Sequence, residues 1–405
     1  VFSAAPPTAT VWVADHKTLK QVAPSINQFI RSLVLSQKAE ALGVDPSDSA
    51  LWTLSNKHLL KFSATGTPLL DLDLKRLFPG FPDPKHFILD PYDGSLWVAS
   101  EKALLHLSPT GQKQGEGTTP DAIQALGLDT DQTLWVLTEK QLLHLSVQGS
   151  LTNSLTLKPF LDDPKQLAVD GLGGVIWIGS EKRLLQFNLN TLTQPPLTAS
   201  LPTSPPGGEF KIEVLGIHPL LGTLWAVGKD TLLRYDRTAF YLGSSDLTPY
   251  ALGKIETLAF EPISDSLWLG GKQALGRFTA SGAFVAKLPA EQGIDAIGTG
   301  PFTLKPTLSL LAPLENSFTN NPRPTIRFGL GASCSGSPCT LVDAYLNSLS
   351  LTTDLNGNAV GPLFTLLNGE AQYTPAARLP EGLNTLKATA KDIFGHTSDA
   401  LTGQF

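Results

Sequence analysis

Residues 93–111 read DGSLWVASEKALLHLSPTG, and residues 131–149 read DQTLWVLTEKQLLHLSVQG. The two stretches are the same segment written twice, 38 residues apart. Outward from them the copy recurs as SALWTLSNKHLLKFSATG (49–66), VIWIGSEKRLLQFNLN (175–190), GTLWAVGKDTLLRYDRT (222–238) and DSLWLGGKQALGRFTASG (265–282). A more divergent copy, VWVADHKTLKQVAPS, starts at residue 11. All seven tryptophans, Trp12, Trp52, Trp97, Trp135, Trp177, Trp225 and Trp268, head these copies at spacings of 38 to 48 residues. Leu follows each Trp at the seventh position (Leu19, Leu59, Leu104, Leu142, Leu184, Leu232, Leu275). An apolar or aromatic residue follows at the tenth (Val22, Phe62, Leu107, Leu145, Phe187, Tyr235, Phe278).

The stretch around each Trp is apolar at both parities, so the strand it forms is covered on both faces; an open sheet with one wet side would alternate. A short apolar run ending in a turn precedes six of the tryptophans: ALGVDPSDS, FILDPYDGS, ALGLDTDQT, LAVDGLGGV, VLGIHPLLG and TLAFEPISD. Gly66, Gly111, Gly149 and Gly282 stand fourteen residues after their tryptophans and mark a turn into one more strand. Each copy is therefore a four-stranded antiparallel meander, and a period near forty residues is that of a β-propeller blade. The Trp12 copy lacks the preceding strand. Ile297-Gly298-Thr299-Gly300-Pro301 stands where Leu42-Gly43-Val44-Asp45-Pro46 stands, so residues 293–301 are expected to complete the Trp12 blade and close the ring. The reading is all-β: a seven-bladed β-propeller over 11–301, after an extended tail at 1–10.

The pattern LW-x-G-[ST]-x-x-x-L-x-x-[FY], clearest from Ile176 through Phe187, resembles the repeats of two-component-regulator and NHL-type propellers. The resemblance covers about residues 8–301. It implies the propeller fold and no particular activity, because such propellers host many unrelated ones.

Tryptophan ends at 268, and residues 302–405 follow another rule. Thr325-Ile326-Arg327-Phe328 and Leu386-Lys387-Ala388-Thr389-Ala390 alternate, and Asn356-Gly357 is a hairpin signal. About seven short strands in a hundred residues point to a β-sandwich. The ending EGLNTLKATAKDIFGHTSDA (381–400) is similar to the last two strands of bacterial immunoglobulin-like domains, which repeat in surface adhesins and large Rhs/YD-repeat proteins. The resemblance implies an Ig-like sandwich over 302–405. Cys334 and Cys339 are the only cysteines and do not fit the inter-sheet bridge of antibody domains. A Cys334–Cys339 disulfide closing a small loop is the leading reading, worth roughly 2 kcal/mol. Metal or redox chemistry and free thiols are the alternatives.

Composition narrows the function. Charged residues make up 16% of the 405, below the roughly 25% usual in soluble domains. The net charge of −6 comes with no basic run, which disfavours nucleic-acid binding. No apolar stretch approaches the length of a membrane span. Two closely spaced cysteines and the absence of Met, including at position 1, suit a processed chain, secreted or at the cell surface.

Three recurring polar positions are the candidate sites. The ninth residue after each Trp is Gln21, Lys61, His106, His144, Gln186, Arg234 or Arg277, one slot filled by any long polar residue. The strand before each Trp strand ends in Asp45, Asp90, Asp129, Asp170 or Glu261, with His218 and Gly300 in the other two copies. These five carboxylates are weak candidates for a cation site at one mouth of the central channel; turn formation explains the same residues. The hairpin after each Trp strand carries Lys17, Lys57, Lys102, Lys140, Lys182, Lys229 or Lys272. Seven ammonium groups on one face would attract an acidic glycan or protein surface, against the simpler role of solvating the turn. Glu101, Glu139, Glu181 and Asp230 lie beside four of them.

No nucleophile, zinc or P-loop motif occurs, and no cofactor is expected. The sequence reads as a non-enzymatic extracellular bacterial protein that binds a protein partner or itself. It would be an adhesin-like fragment or a subunit of a filament, sheath or layer, with the neutral tail VFSAAPPTAT able to add a strand to a neighbour's sandwich. The alternative is a propeller lyase or hydrolase with its site at the channel mouth.

Overall fold

The computed structural model describes residues 11–45, 48–91, 93–192, 194–201, 210–219, 221–228, 230–261, 265–299, 304–334, 337–338, 346, 349–367, 369–392 and 397–405. The protein is all-β, built of antiparallel sheets. It divides into two compact units, one of Ala9–Pro301 and one that contains Phe302–Phe405.

The first unit holds seven four-stranded sheets. In six of them the strands run in chain order, as in Ala41–Val44, Leu51–Ser55, His58–Phe62 and Pro68–Asp73. In the remaining sheet Ile294–Thr299 pairs with Val11–Asp15, Trp12 lying opposite Gly298 as Trp52 lies opposite Gly43. The strand following each Trp strand lies beside it, and the fourth strand is always an edge. First strands neighbour first strands from sheet to sheet, and Ile294–Thr299 touches both Ile255–Glu261 and Ala41–Val44. The contacts thus form a closed cycle with no open end.

The cores explain the repeat. Each lies between two consecutive sheets. Trp135, Leu137 and Leu142 of one sheet pack on Ile176, Ile178, Leu185 and Phe187 of the next. Trp225, Val227 and Leu232 meet Leu267, Leu269 and Phe278 in the same way. The cycle ends where Trp268 and Leu275 pack on Val11, Val13 and Val22. The Trp and the Leu seven residues later face the following sheet, while the residue ten after the Trp faces the preceding one. Every Trp strand is buried along its whole length, and all seven tryptophans are at most 3% exposed.

The glycines fourteen residues after Trp have φ of 82°, 81°, 91° and 87°, and each abuts the outer strand of the preceding sheet. At Gly149 a Cβ would lie 2.2 Å from the backbone oxygen of Glu116. Gly149→Ala combines left-handed strain with a backbone clash, and we expect a loss of about 2 kcal/mol, read from the urea midpoint. At Gly66 the nearest atoms belong to the Leu33 side chain, which can move, so Gly66→Ala should cost less.

The second unit contains two antiparallel sheets. One joins Leu304–Ala312, Ile326–Cys334, Glu370–Tyr373 and Thr365–Leu367, with Ser337–Pro338 added to the second of these. The other joins Asn358–Ala359, Ser350–Leu355, Thr385–Lys391 and Leu401–Gln404. Thr385–Lys391 alternates, Leu386, Ala388 and Ala390 inside and Lys387 and Lys391 outside. Asn356 and Gly357 both take positive φ, 54° and 82°, in the two-residue turn before Asn358. The tail at 1–10 and Cys339, with the Cys334 side chain, lie outside the described residues. Among the described residues no helix is long and apolar enough to cross a membrane.

Candidate functional site

The slot nine residues after Trp stands directly across the sheet from the indole in all seven copies, as in Trp97↔His106 and Trp268↔Arg277. His106 and His144 stack on their indoles at 4.3 and 4.0 Å. Lys61, Arg234 and Arg277 stand over theirs at 5.1, 5.4 and 5.4 Å, within cation–π reach.

The head groups then reach the next sheet. His106 Nδ1 donates to Val147 O at 2.8 Å, Gln186 Nε2 to Arg237 O at 2.9 Å, and Lys61 Nζ to Pro109 O at 3.5 Å. Arg277 donates to Pro24 O and, at 2.8 Å, to Asn27 Oδ1. Gln21 acts through Arg31, whose Nη1 bonds both Gln21 Oε1 and Ala64 O. Every one of these carbonyls sits twelve residues after the Trp of its own copy. The slot is a latch between successive sheets at five of the seven joints. His144 instead bonds Thr133 Oγ1 at 2.7 Å.

The two histidine slots make the stability of their sheets sensitive to acid. Burial pushes the pKa of His106 down against the pull of Val147 O and Asp93, and does the same to His144 against Asp131 and Asp129. The unfolded chain therefore binds protons first. Stability should fall as pH drops from about 7.5 through the ordinary His value and level off below the folded values. Unfolding free energies at about pH 7.5 and about pH 5 test this, with His106→Gln/His144→Gln reducing the slope and His86, whose pKa burial also lowers, keeping part of it.

Among the described residues the five acidic strand ends form no shared set of ligand atoms. Asp45 is fully buried, with Lys61 Nζ 2.9 Å from its Oδ2. Asp170 takes Arg237 of the next sheet at 2.6 and 3.3 Å. Asp129 accepts from Trp135 Nε1 at 3.1 Å. Asp90 and Glu261 are at most 2% exposed, and His218 meets Asp265 at 2.7 Å. Asp45 and Asp129 bond within their own sheets, and Asp170 ties its sheet to the next. Among the described residues, Asp129 alone of the five joins a set of possible ligand atoms within 4.8 Å of one another, with Asp131 and His144. All three already have partners: the Asp131 carboxylate accepts from Thr133, and His144 bonds the same hydroxyl.

The hairpin lysines are also engaged. Lys57 pairs with Asp83 at 3.2 Å, Lys140 with Asp121 at 2.7 Å and Lys272 with Glu256 at 2.8 Å. Lys102 Nζ donates to Pro120 O. Carbonyl oxygens of Lys17, Lys57, Lys102 and Lys140 accept N–H groups just past the fourth strand of their own sheets. Acids on two connections and at the start of the strand Ile255–Glu261 thus neutralise three of the seven lysines. Lys17 forms no ion pair among the described residues, Lys182 has a partner, and Lys229 lies outside those residues.

Two cavities bear on function. One, of about 440 Å³, opens where three sheets begin; Lys165, Lys211 and Lys254 line it with Glu181, Glu213 and Glu256. Lys211 pairs with Glu181 at 2.9 Å there. The other, of about 670 Å³, lies wholly in the second unit between 316–324 and 379–384 and reaches Phe405. Phe318 and Leu383 stand at its rim, 102% and 68% exposed, with Pro322, Pro324 and Pro380 along the wall. Sequence reasoning passed over this groove. The signal available was the stretch ENSFTNNPRP, an aromatic set among turn formers with nothing apolar beside it.

No family model matches the chain, and no curated protein matches it. Among solved structures it is similar to a functionally unknown protein from Desulfotomaculum acetoxidans DSM 771. That likeness has 9% identity and a TM-score of 0.56, covering 72% of this chain and 99% of the other. A protein of unknown function from Bacteroides caccae matches at 12% identity and a TM-score of 0.46, covering 72% and 98%. The first likeness is one of fold alone.

Proposed function

We propose that residues 11–301 form a seven-bladed β-propeller, that residues 302–405 form an immunoglobulin-like β-sandwich, and that the chain is a non-enzymatic extracellular interaction protein. In this reading the propeller is a rigid platform and the sandwich a contact module, as in an adhesin fragment or the subunit of a surface assembly. The closed cycle of seven sheets and the cores between them support the first part. The observation carrying the functional part is the groove at Phe318 and Leu383, where large apolar groups stand open beside prolines. Exposed apolar groups gathered at a cleft mark contact surfaces. The polar residues of the repeat, by contrast, are engaged in holding sheets together.

The enzyme reading has one observation in its favour: the 440 Å³ cavity brings three glutamates and three lysines from three sheets to one place. Activity lost on Glu213→Gln or Glu256→Gln, in a chain that keeps its fold, would establish it.

The first experiment is the mass of the native protein by light scattering over a range of concentrations, with negative-stain images. Regular oligomers or polymers support the interaction reading. A monomer that also binds neither acidic glycans nor candidate surface proteins overturns it.

A further inference from the structure

The fourth strand of every sheet is an edge, and an edge offers unpaired N–H and C=O groups to any strand that reaches it. Six of the seven carry a device that resists such pairing. Gln28–Val34 has Arg31 in its middle, and Pro68–Asp73 has a proline and two aspartates. Lys113–Thr118 has Lys113, Glu116 and two glycines, while Leu197–Ala199 is only three residues long. Tyr241–Asp246 has Gly243 and a terminal Asp, and Phe284–Pro289 has Lys287 and a proline.

Leu151–Thr156, reading LTNSLT, has no charge, no proline and no glycine. Five of its six residues are exposed, and Leu151 is 60% exposed. Its side-chain contacts are local: Asn153 Oδ1 accepts the Ser154 N–H at 2.8 Å, which a carbonyl on a partner strand can replace, and Thr152 Oγ1 donates to His144 O of the same sheet at 2.9 Å.

We propose that Leu151–Thr156 pairs antiparallel with the same strand of a second copy, centred on Asn153, joining two fourth sheets into one of eight strands. The chemistry of the strand selects this occupant. Pairing centred on Asn153 sets Leu151 opposite Leu155 of the second copy, Thr152 opposite Ser154, and Asn153 opposite Asn153. That gives apolar pairs and amide or hydroxyl pairs, with no like charges facing. The same operation on Gln28–Val34 sets Arg31 against Arg31, which is repulsive. Two identical edges make a self-complementary contact that closes at two copies. The inference deepens the interaction reading and rests on it.

The test is sedimentation velocity of the full chain across concentration. The wild type should show a dimer, and T152K/S154K should raise its dissociation constant at least about tenfold. These positions are exposed, so the near-UV spectrum should be unchanged, and the thermal midpoint measured below the dimer's dissociation constant should fall by no more than the loss of the Thr152 Oγ1 to His144 O bond allows. The control Q114K/T118K, on the strand Lys113–Thr118, should leave the dimer intact. Directly opposed Cβ atoms sit about 5 Å apart, so Asn153→Cys should give a disulfide-linked dimer under mild oxidation where the wild type gives none. A dimer unmoved by T152K/S154K, or weakened equally by Q114K/T118K, overturns the strand assignment and leaves self-association standing. A wild-type monomer at every concentration overturns both the strand assignment and self-association.

Discussion

Asp45→Ala should lower the stability of the chain by about 3 to 5 kcal/mol, the range seen when one partner of a buried ion pair is removed. Asp45 is fully buried, and the side chain of Lys61 is 8% exposed. With Asp45 gone the ammonium keeps Asp48 at 3.3 Å, which is half exposed, and the Pro109 carbonyl at 3.5 Å. Neither replaces a buried anion. The double variant Asp45→Ala/Lys61→Met removes the stranded charge and should recover at least half of the loss. A methionine stem still covers the Trp52 indole, over which the ammonium now sits at 5.1 Å. Urea midpoints of the wild type and the two variants decide it. A loss under about 1 kcal/mol for Asp45→Ala would mean that Asp48 and water suffice for Lys61.

Arg277→Ala should cost about 3 kcal/mol, because it removes a charge-assisted latch and strands its acceptors. This guanidinium bonds Ser266 Oγ at 2.9 Å within its own sheet, and Pro24 O and Asn27 Oδ1 in the sheet that starts the chain. It stands at the joint where the two ends of the repeat meet. The loss should therefore show locally first, as faster amide exchange in Val11–Asp15 and Ile294–Thr299 than in Leu134–Thr138. A second tie at that joint limits the damage. Burial disfavours the charge on Asp15, yet the Lys20 ammonium and the N–H groups of Glu291 and Gln292 hold its carboxyl below the usual range. Arg277→Lys keeps the charge without the fork and should fall between the two. Uniform exchange across all seven sheets would contradict a local role.

The tryptophans made the repeat legible because burial of a large indole between two sheets tolerates few replacements. The pairing of the chain ends was legible too, since Gly298 falls in the register of Gly43. The slot after each Trp could be seen as polar but not as a latch. Its acceptors are main-chain carbonyls of Pro24, Ala64, Pro109, Val147 and Arg237, and a carbonyl leaves no mark on residue type. The lysines looked like a field of charge because their partners stand outside the repeated segment: Asp83 and Asp121 on connections, and Glu256 in the strand Ile255–Glu261. The acidic strand ends stood out because a repeat places them at the same position of each copy. Whether such a side chain meets the other carboxylates or bonds within its own sheet depends on partners in other strands, which residue type at that position does not show. The groove of the second unit belongs to no repeat, and only folding brings 316–324 and 379–384 together.

The antiparallel pair of Val11–Asp15 with Ile294–Thr299 has a mechanical consequence. Val11 lies opposite Thr299, so the chain enters and leaves the cycle at the same end of that pair. Tension on the polypeptide at these two points loads the hydrogen bonds one after another rather than all at once. The joint that seals the cycle would unzip under pull instead of resisting in shear, and the other six sheets, each formed from a continuous stretch of chain, would feel the force only after it had parted. Under load, the seal would act as a fuse.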